Sequence, residues 1–317
     1  MTAGWIAAAQ RTDGAIPWYP GGPLDPWNHV EAAMGLTVAG LTEQAAAAYD
    51  WLAAVQNADG SWFAGYGADA ERVGDSNVTA YVAVGVRHHL LATGDTGFAR
   101  RLWPVVEGAL DYVLSLRRPD GAIRWREDSA DALVTGCSSI AHALRHGQEL
   151  AGGHDRWARA AAGLRAALTG RPDAFLPKPH AMDWYYPVLT SVITGGAATA
   201  RLADGWDRFV VPGLGVRCVH HQPWVTGGET AELALTLAAR GERARAARLL
   251  ADIGARLRHD DGSYWTGYQF ADDALWPDER TTWTAGAMLL ARAALAGDPA
   301  TLAVFGPAGG PRTGPVG

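Results

Sequence analysis

Cysteine is almost missing from this chain: Cys137 and Cys218 are the only two in 317 residues. That count excludes a disulfide-built secreted scaffold and leaves two structural thiols as the expectation. Basic clusters interleaved with aromatics are also lacking, and the formal net charge is −6, so nucleic acid is not an expected partner. No stretch approaches the ~18 apolar residues that span a bilayer. The opening MTAGWIAAAQRTDG has neither a basic n-region nor a long apolar run, so it does not read as a signal peptide, and a cytoplasmic location is expected. No His-Glu-x-x-His or Cys-x-x-Cys spacing occurs, so neither a metal nor another cofactor is expected; His88-His89 and His220-His221 read as ordinary polar positions.

Hydrophobic residues, by contrast, make up 48% of the chain, with 14 tryptophans among them. They are organised by repetition. Six segments begin at a polar or acidic tip and run on as a helix with almost no polar side: WNHVEAAMGL from Trp27, DSNVTAYVAV from Asp75, DALVTGCSSI from Asp131, DWYYPVLTSV from Asp183, GGETAELALT from Gly227 and RTTWTAGAML from Arg280. Their spacing of roughly 50 residues marks a repeat architecture, in which each unit needs its neighbours to cover its apolar face.

Between them lie helices of another kind. From Phe98, the residues Phe98, Leu102, Val105, Ala109 and Val113 share one stripe; from Glu242, Ala246, Leu249, Leu250, Ile253 and Leu257 do the same. One-sided helices face water, and helices apolar all round are buried on every side. Alternation of the two predicts concentric rings, an all-α (α/α)6 toroid with little or no β structure. The linkers QRTDGAIPW, QNADGSWF, RRPDGAIRW and RHDDGSYW carry Asp-Gly turns. Two linkers depart, GRPDAFLPKPHAMDWYYP and VPGLGVRCVHHQPWVTGG, and the first outer helix is short. One domain over 1–303 is expected, followed by a flexible Gly/Pro-rich tail over 304–317.

The stretch ATGDTGFARRLWPVVEGALDYVLSLRRPDGAIRW and the segment DERTTWTAGAMLLARAAL resemble the six-hairpin glycosidases, especially the glucoamylase-like branch. QNADGSW resembles the glutamine-tryptophan repeat of the terpenoid cyclases and protein prenyltransferases, which share the toroid. The carboxylates favour the first family. No Asp-x-Asp-Asp run is present, and Asp260-Asp261 and Asp272-Asp273 lack the spacing of diphosphate motifs. Hydrolysis of a glycosidic bond needs only a carboxylic acid and a facing carboxylate. The glucoamylase-like resemblance implies Glu127 as acid, in WREDSAD, and Glu279 as base, before the sixth inner helix.

Other tip residues are read from the chain itself. Asp183 sits in an aromatic run and either caps its helix or serves the site. Glu229, in the first turn of the fifth inner helix, either balances the helix dipole or joins the site. Asp75 and Asn77 are capping residues with lone pairs left for a ligand. Trp27, His29, Trp184, Tyr185, Trp224, Trp265 and Arg280 complete the expected pocket, with Arg280 facing either an anionic substituent or a catalytic carboxylate. The expectation is a metal-independent enzyme acting on a small sugar or an oligosaccharide. An isoprenoid-handling toroid and a non-catalytic binding toroid are the alternatives.

Overall fold

A computed structural model describes residues 1–68 and 70–307. The chain runs as helical hairpins, outer then inner: α1 (Thr2–Ala9) and α2 (Pro26–Val38), α3 (Thr42–Val55) and the broken pair α4 (Ser76–Ala80) and α5 (Val82–Thr93), α6 (Thr96–Ser115) and α7 (Val134–Leu150), α8 (Asp155–Gly170) and α9 (Ala181–Leu189), α10 (Gly195–Phe209) and α11 (Gly227–Ala239), α12 (Arg243–Arg256) and α13 (Thr282–Ala296). A short α14 (Pro299–Phe305) follows. The fold is the (α/α)6 toroid.

Burial separates the rings as the side-chain patterns predict. Every residue of α11 from Gly227 to Ala238 is buried. In α8 only Trp157, Ala160, Leu164 and Ala167 are buried, and in α12 only Ala246, Leu249, Leu250 and Ile253, three or four apart on one stripe. The inner ring closes in the order α2, α5, α7, α9, α11, α13 and back to α2. Backbones approach closely where α2 meets α13. A Cβ on Gly35 would lie 2.8 Å from the Gly286 Cα, and one on Gly286 would lie 2.7 Å from the Glu31 carbonyl oxygen. Eight residues of α1 suffice for the first outer position, where the helix packs on α13 and α2.

The Asp-Gly turns are fastened by the residues around them. Gln56 Nε2 donates to the carbonyl oxygens of Gly60 and of Val105 on α6, both at 2.9 Å. Gln10 does the same to Gly14 and to Gln44 on α3. Asp59 Oδ1 accepts from the Ser61 amide at 3.0 Å. Gly60 holds φ +90°, and a Cβ there would overlap the Gly108 carbonyl. Gly60→Ala is therefore expected to destabilise the chain by about 2–4 kcal/mol, from left-handed backbone strain plus a backbone clash. Urea unfolding checks this; a change under about 0.5 kcal/mol would mean the turn is free to move.

One of the two linkers that lack Asp-Gly, the one before α11, holds three of the five strands among the described residues. Strands β1 (Val210–Val211), β2 (Gly215–Arg217), β3 (Trp224–Thr226), β4 (Gly267–Gln269) and β5 (Ala274–Leu275) form one antiparallel sheet in sequential order, with Val216 opposite Thr226, Val225 opposite Tyr268 and Tyr268 opposite Leu275. Strands this short carry no readable alternation.

The expected tail boundary at Val304 falls inside α14, where Val304 and Phe305 are buried. This helix covers the C-terminal ends of the inner helices. Phe305 stacks on His142 with ring centroids 5.5 Å apart, and Arg145 Nη2 donates to the Val304 carbonyl at 2.8 Å. Residues 308–317, the rest of that expected tail, lie outside the described residues. Among the described residues no single helix is long and apolar enough to cross a membrane.

Candidate active site

With the C-terminal ends of the inner helices covered by α14, a cavity of about 400 Å³ opens at their N-terminal ends. Six carboxyl side chains line it: Asp25 and Glu31 at α2, Asp75 at α4, Asp183 on α9, and Glu229 and Glu232 on α11. Trp27, Trp125 and Trp283 supply indole walls, and Val78, Leu133 and Met182 add apolar surface. Lys178, the only lysine of the chain, and His180 are the basic groups at the lining.

Each carboxylate is aimed by its neighbours. Asp25 caps α2 through the Asn28 amide at 2.9 Å, while its other oxygen accepts from Trp18 Nε1 and Asn28 Nδ2, both at 2.7 Å. Asp75 caps α4 with one oxygen, from the amides of Asn77 at 2.7 Å and Val78 at 3.1 Å. Asp183 uses one oxygen to accept from the Thr135 amide at 3.1 Å and the Thr135 hydroxyl at 2.5 Å. Pro187 follows Asp183 by four residues inside α9 and has no N–H for its carbonyl. Arg201 Nη2 takes that carbonyl at 2.6 Å, so the α9 end stays fixed. The Thr226 hydroxyl donates to Glu229, and the Tyr185 hydroxyl donates to Glu232. Glu31 is buried, and no side chain among the described residues donates to it.

Burial dominates the protonation of this cluster. It raises the Asp25 and Asp183 carboxyls above the usual range and pushes Asp75 up to about 6. Glu232 is pushed up to about 8, again by burial, with Glu229 adding like-charge repulsion. Glu31 is raised well above its ordinary value by burial, then by the nearby charges of Glu232, Asp25 and Glu229. Glu232 therefore holds its proton at neutral pH, and burial favours the protonated form of Glu31 as well. Burial lowers His180, leaving its imidazole neutral there.

Of the residues expected from the sequence, the structure gathers Trp27, Asp75, Asn77, Asp183 and Glu229 around the cavity. Trp27 stacks on Tyr81 at 5.0 Å, and Asn77 fills the space that a Cβ on Gly136 would need. The others stand elsewhere. Glu127 is exposed, and its carboxylate accepts from the Gly74 amide at 3.1 Å, bracing the segment that presents Asp75. Glu279 accepts from the Thr266 hydroxyl at 3.2 Å in the loop before α13, outside the cavity. His29 is consumed by backbone, accepting from the Ile16 amide at 3.0 Å and meeting the Ala48 carbonyl at 2.9 Å. Trp184 turns toward α10, donating to the Arg201 carbonyl at 2.7 Å and stacking on Phe209. Tyr185 is buried against Glu232 without lining the cavity. Arg280 pairs with Asp261 at 2.5 Å beside Trp265, so it faces neither an anionic substituent in the cavity nor a cavity carboxylate. Trp224 lies in the sheet.

Sequence reasoning missed Asp25, Glu31 and Glu232. Signals for all three exist: Asp25 precedes Pro26 at a helix start, and Glu232 follows Glu229 by three residues, on the same helix face. Glu31 is an acid in the buried interior of α2, followed by the apolar run 32–36. Among the described residues, no group of three or more His, Cys, Asp or Glu side chains is placed to hold a metal ion.

No protein-family model matches the chain. Among curated proteins it is 48% identical over 306 residues to the MMP endo-(1,4)-3-O-methyl-α-D-mannosidase of Mycolicibacterium hassiacum, covering 93% of this chain and 85% of that protein. Among solved structures, a wild-type glycosidase superposes with a TM-score of 0.75 at 17% identity, covering 93% of this chain and 95% of that one. The GH63 mannosylglycerate hydrolase from Thermus thermophilus gives 0.68 at 15% identity over 91% and 98%. At these identities the two structures share the fold. The chain belongs to the family of the endo-(1,4)-3-O-methyl-α-D-mannosidase and is a glycosidase-type hydrolase on an (α/α)6 toroid.

Proposed function

We propose that this enzyme cleaves internal α-(1,4) linkages of a 3-O-methylmannose chain, without a metal, by acid–base catalysis at the mouth of the toroid. The observation that carries this reading is the lining of the cavity by six carboxyls, in a chain 48% identical to a protein named for that activity. A lining so rich in acid repels anionic substrates and suits a neutral sugar. It is equally unsuited to a diphosphate, so the isoprenoid alternative is set aside. The indoles with Val78, Leu133 and Met182 match O-methyl groups, which gain from apolar contact where hydroxyls would lose hydrogen bonds.

Roles follow from ring position and protonation. In the order of the inner ring α2 and α9 are three steps apart, on opposite walls. Glu31, on α2, is kept protonated and is assigned as the acid that protonates the leaving oxygen. Asp183, on α9, is held by Thr135 through one oxygen and is assigned as the facing carboxylate. Burial first, and then the nearby carboxylates of Asp25 and Glu229, favour the proton on Glu31. Glu127 and Glu279 have no catalytic part in this assignment. Activity then follows a bell. The alkaline limb falls as the Glu31–Glu232 pair loses its proton, Glu232 at about 8; the acid limb falls as Asp183 takes one up. A cytoplasmic location completes the reading, in keeping with Cys137 and Cys218 as free thiols.

The test is direct. Purified enzyme is incubated with a linear α-(1,4)-linked 3-O-methylmannose oligosaccharide, and products are sized by mass spectrometry. Fragments from internal cleavage are expected; an intact substrate after long incubation, or loss of single terminal sugars only, contradicts the proposal.

A further inference from the structure

A second cavity, also of about 400 Å³, lies on the sheet and is lined by Gln222, Pro223, Trp224, Gln269, Asp272 and Trp276. Trp276 is 55% exposed, the most exposed tryptophan in the molecule, and its neighbour Leu275 is 40% exposed. The two indoles make a corner, with ring centroids 5.1 Å apart and planes at 75°, locked by Trp224 Nε1 donating to the Trp276 carbonyl at 2.9 Å. Polar groups surround it. Gln269 uses its Oε1 to accept from the Ala271 amide at 2.9 Å, which leaves its NH₂ to donate; Gln222 and Asp272 are exposed beside it.

An open indole face ringed by amides and a carboxylate is suited to a sugar ring, whose C–H face stacks while its oxygens hydrogen-bond. The position matters as much as the composition. β3 runs from Trp224 to Thr226 and leads straight into α11, where the Thr226 hydroxyl donates to Glu229 in the main cavity. Trp224 to Thr226 covers roughly 7 Å of strand, so the corner lies a short run of chain from Glu229 while its own lining is separate from that of the main cavity.

We infer that the Trp224–Trp276 corner is a distal subsite that holds sugar residues of the polysaccharide remote from the bond being cut. This rests on the reading of the enzyme as internal-cleaving on a linear mannoside. Binding there anchors long chains and gives short ones nothing.

The test uses the full chain with Trp276→Ala and two α-(1,4)-linked 3-O-methylmannose oligosaccharides, one just long enough to cross the main cavity and one several sugars longer. The variant is expected to raise KM about tenfold for the long substrate, with KM for the short one and kcat for both unchanged. Equal effects on both substrates, or none on either, overturn the subsite. A second measurement does not need turnover. Tryptophan fluorescence of the Glu31→Gln enzyme is titrated with the long oligosaccharide, with and without Trp276→Ala. About tenfold weaker binding on loss of Trp276 upholds the subsite even if no mannoside is hydrolysed, which would sink the catalytic reading alone. Binding indifferent to Trp276, or no binding at all, overturns the subsite.

Discussion

Glu31→Gln is expected to lower kcat on a 3-O-methyl-α-mannoside with a sugar leaving group by about 10³-fold, within the range that positioned acid–base groups contribute. The substitution matches the shape and charge of the protonated acid but has no proton to give. Asp183→Asn is expected to lose a similar factor for a different reason, since it removes the facing carboxylate. Leaving-group ability separates the two. An aryl mannoside departs with little need of protonation, so most of the loss in Glu31→Gln should disappear with it, while the Asp183→Asn defect persists. Steady-state kinetics on both substrates decide the matter. If Glu31→Gln is equally impaired on both, Glu31 is not the acid. If neither substitution costs tenfold, the acid–base centre is elsewhere.

The second large effect is on stability, and its sign is unusual. Glu232→Gln is expected to stabilise the protein. The folded carboxyl is raised to about 8 from an ordinary 4.5, mainly by burial. Above pH 4.5 the unfolded chain releases a proton that the folded chain keeps, so stability falls as pH rises from 4.5 towards 8. Removing the group relieves that loss, on the order of 3 kcal/mol at about pH 8 and close to nothing at about pH 4.5. The amide oxygen that Glu232→Gln introduces still accepts from the Tyr185 hydroxyl, so no partner is orphaned. The buried histidines act with the opposite sign. His29, His88 and His146 are lowered to about 4, first of all by burial, so stability is complete above pH 6.5 and is lost as pH falls towards 4. Their contribution is shared by both proteins and cancels in the comparison. Urea unfolding of wild type and Glu232→Gln across about pH 4.5 to 8 gives the answer. A gain that does not grow with pH would mean that Glu232 is ionised in the folded state.

Both expectations describe one trade. A cluster of acids inside an apolar ring is a poor way to stabilise a fold and a good way to keep a carboxylic acid protonated at neutral pH.

The ring was legible in the chain because it depends on periodicity. The one-sided stripe in α12 and the mostly apolar run of α11 differ in sequence as they differ in burial. The turns were legible because Asp-Gly has one physical meaning: Gly60 does hold a left-handed backbone. The site was less legible. A carboxylate at a helix tip reads alike whether it braces a loop, as Glu127 does, or faces the cavity, as Asp75 does. Glu127 and Asp75 are far apart in sequence, and only the folded ring reveals which one serves the other. Glu31 was hidden for a related reason. It lies inside α2 rather than at its tip, and the broad cavity reaches the second turn of that helix. The sheet escaped because its strands are two or three residues long.

In the proposed mechanism, substrate lies across the mouth of the toroid between α2 and α9. A crystal structure of the Glu31→Gln enzyme with a 3-O-methylmannose oligosaccharide tests this most directly. A glycosidic oxygen is expected within hydrogen-bond distance of residue 31 and an anomeric carbon facing Asp183 from the other side, with O-methyl groups against the indoles. An oligosaccharide bound with its glycosidic bonds away from both residues would contradict it.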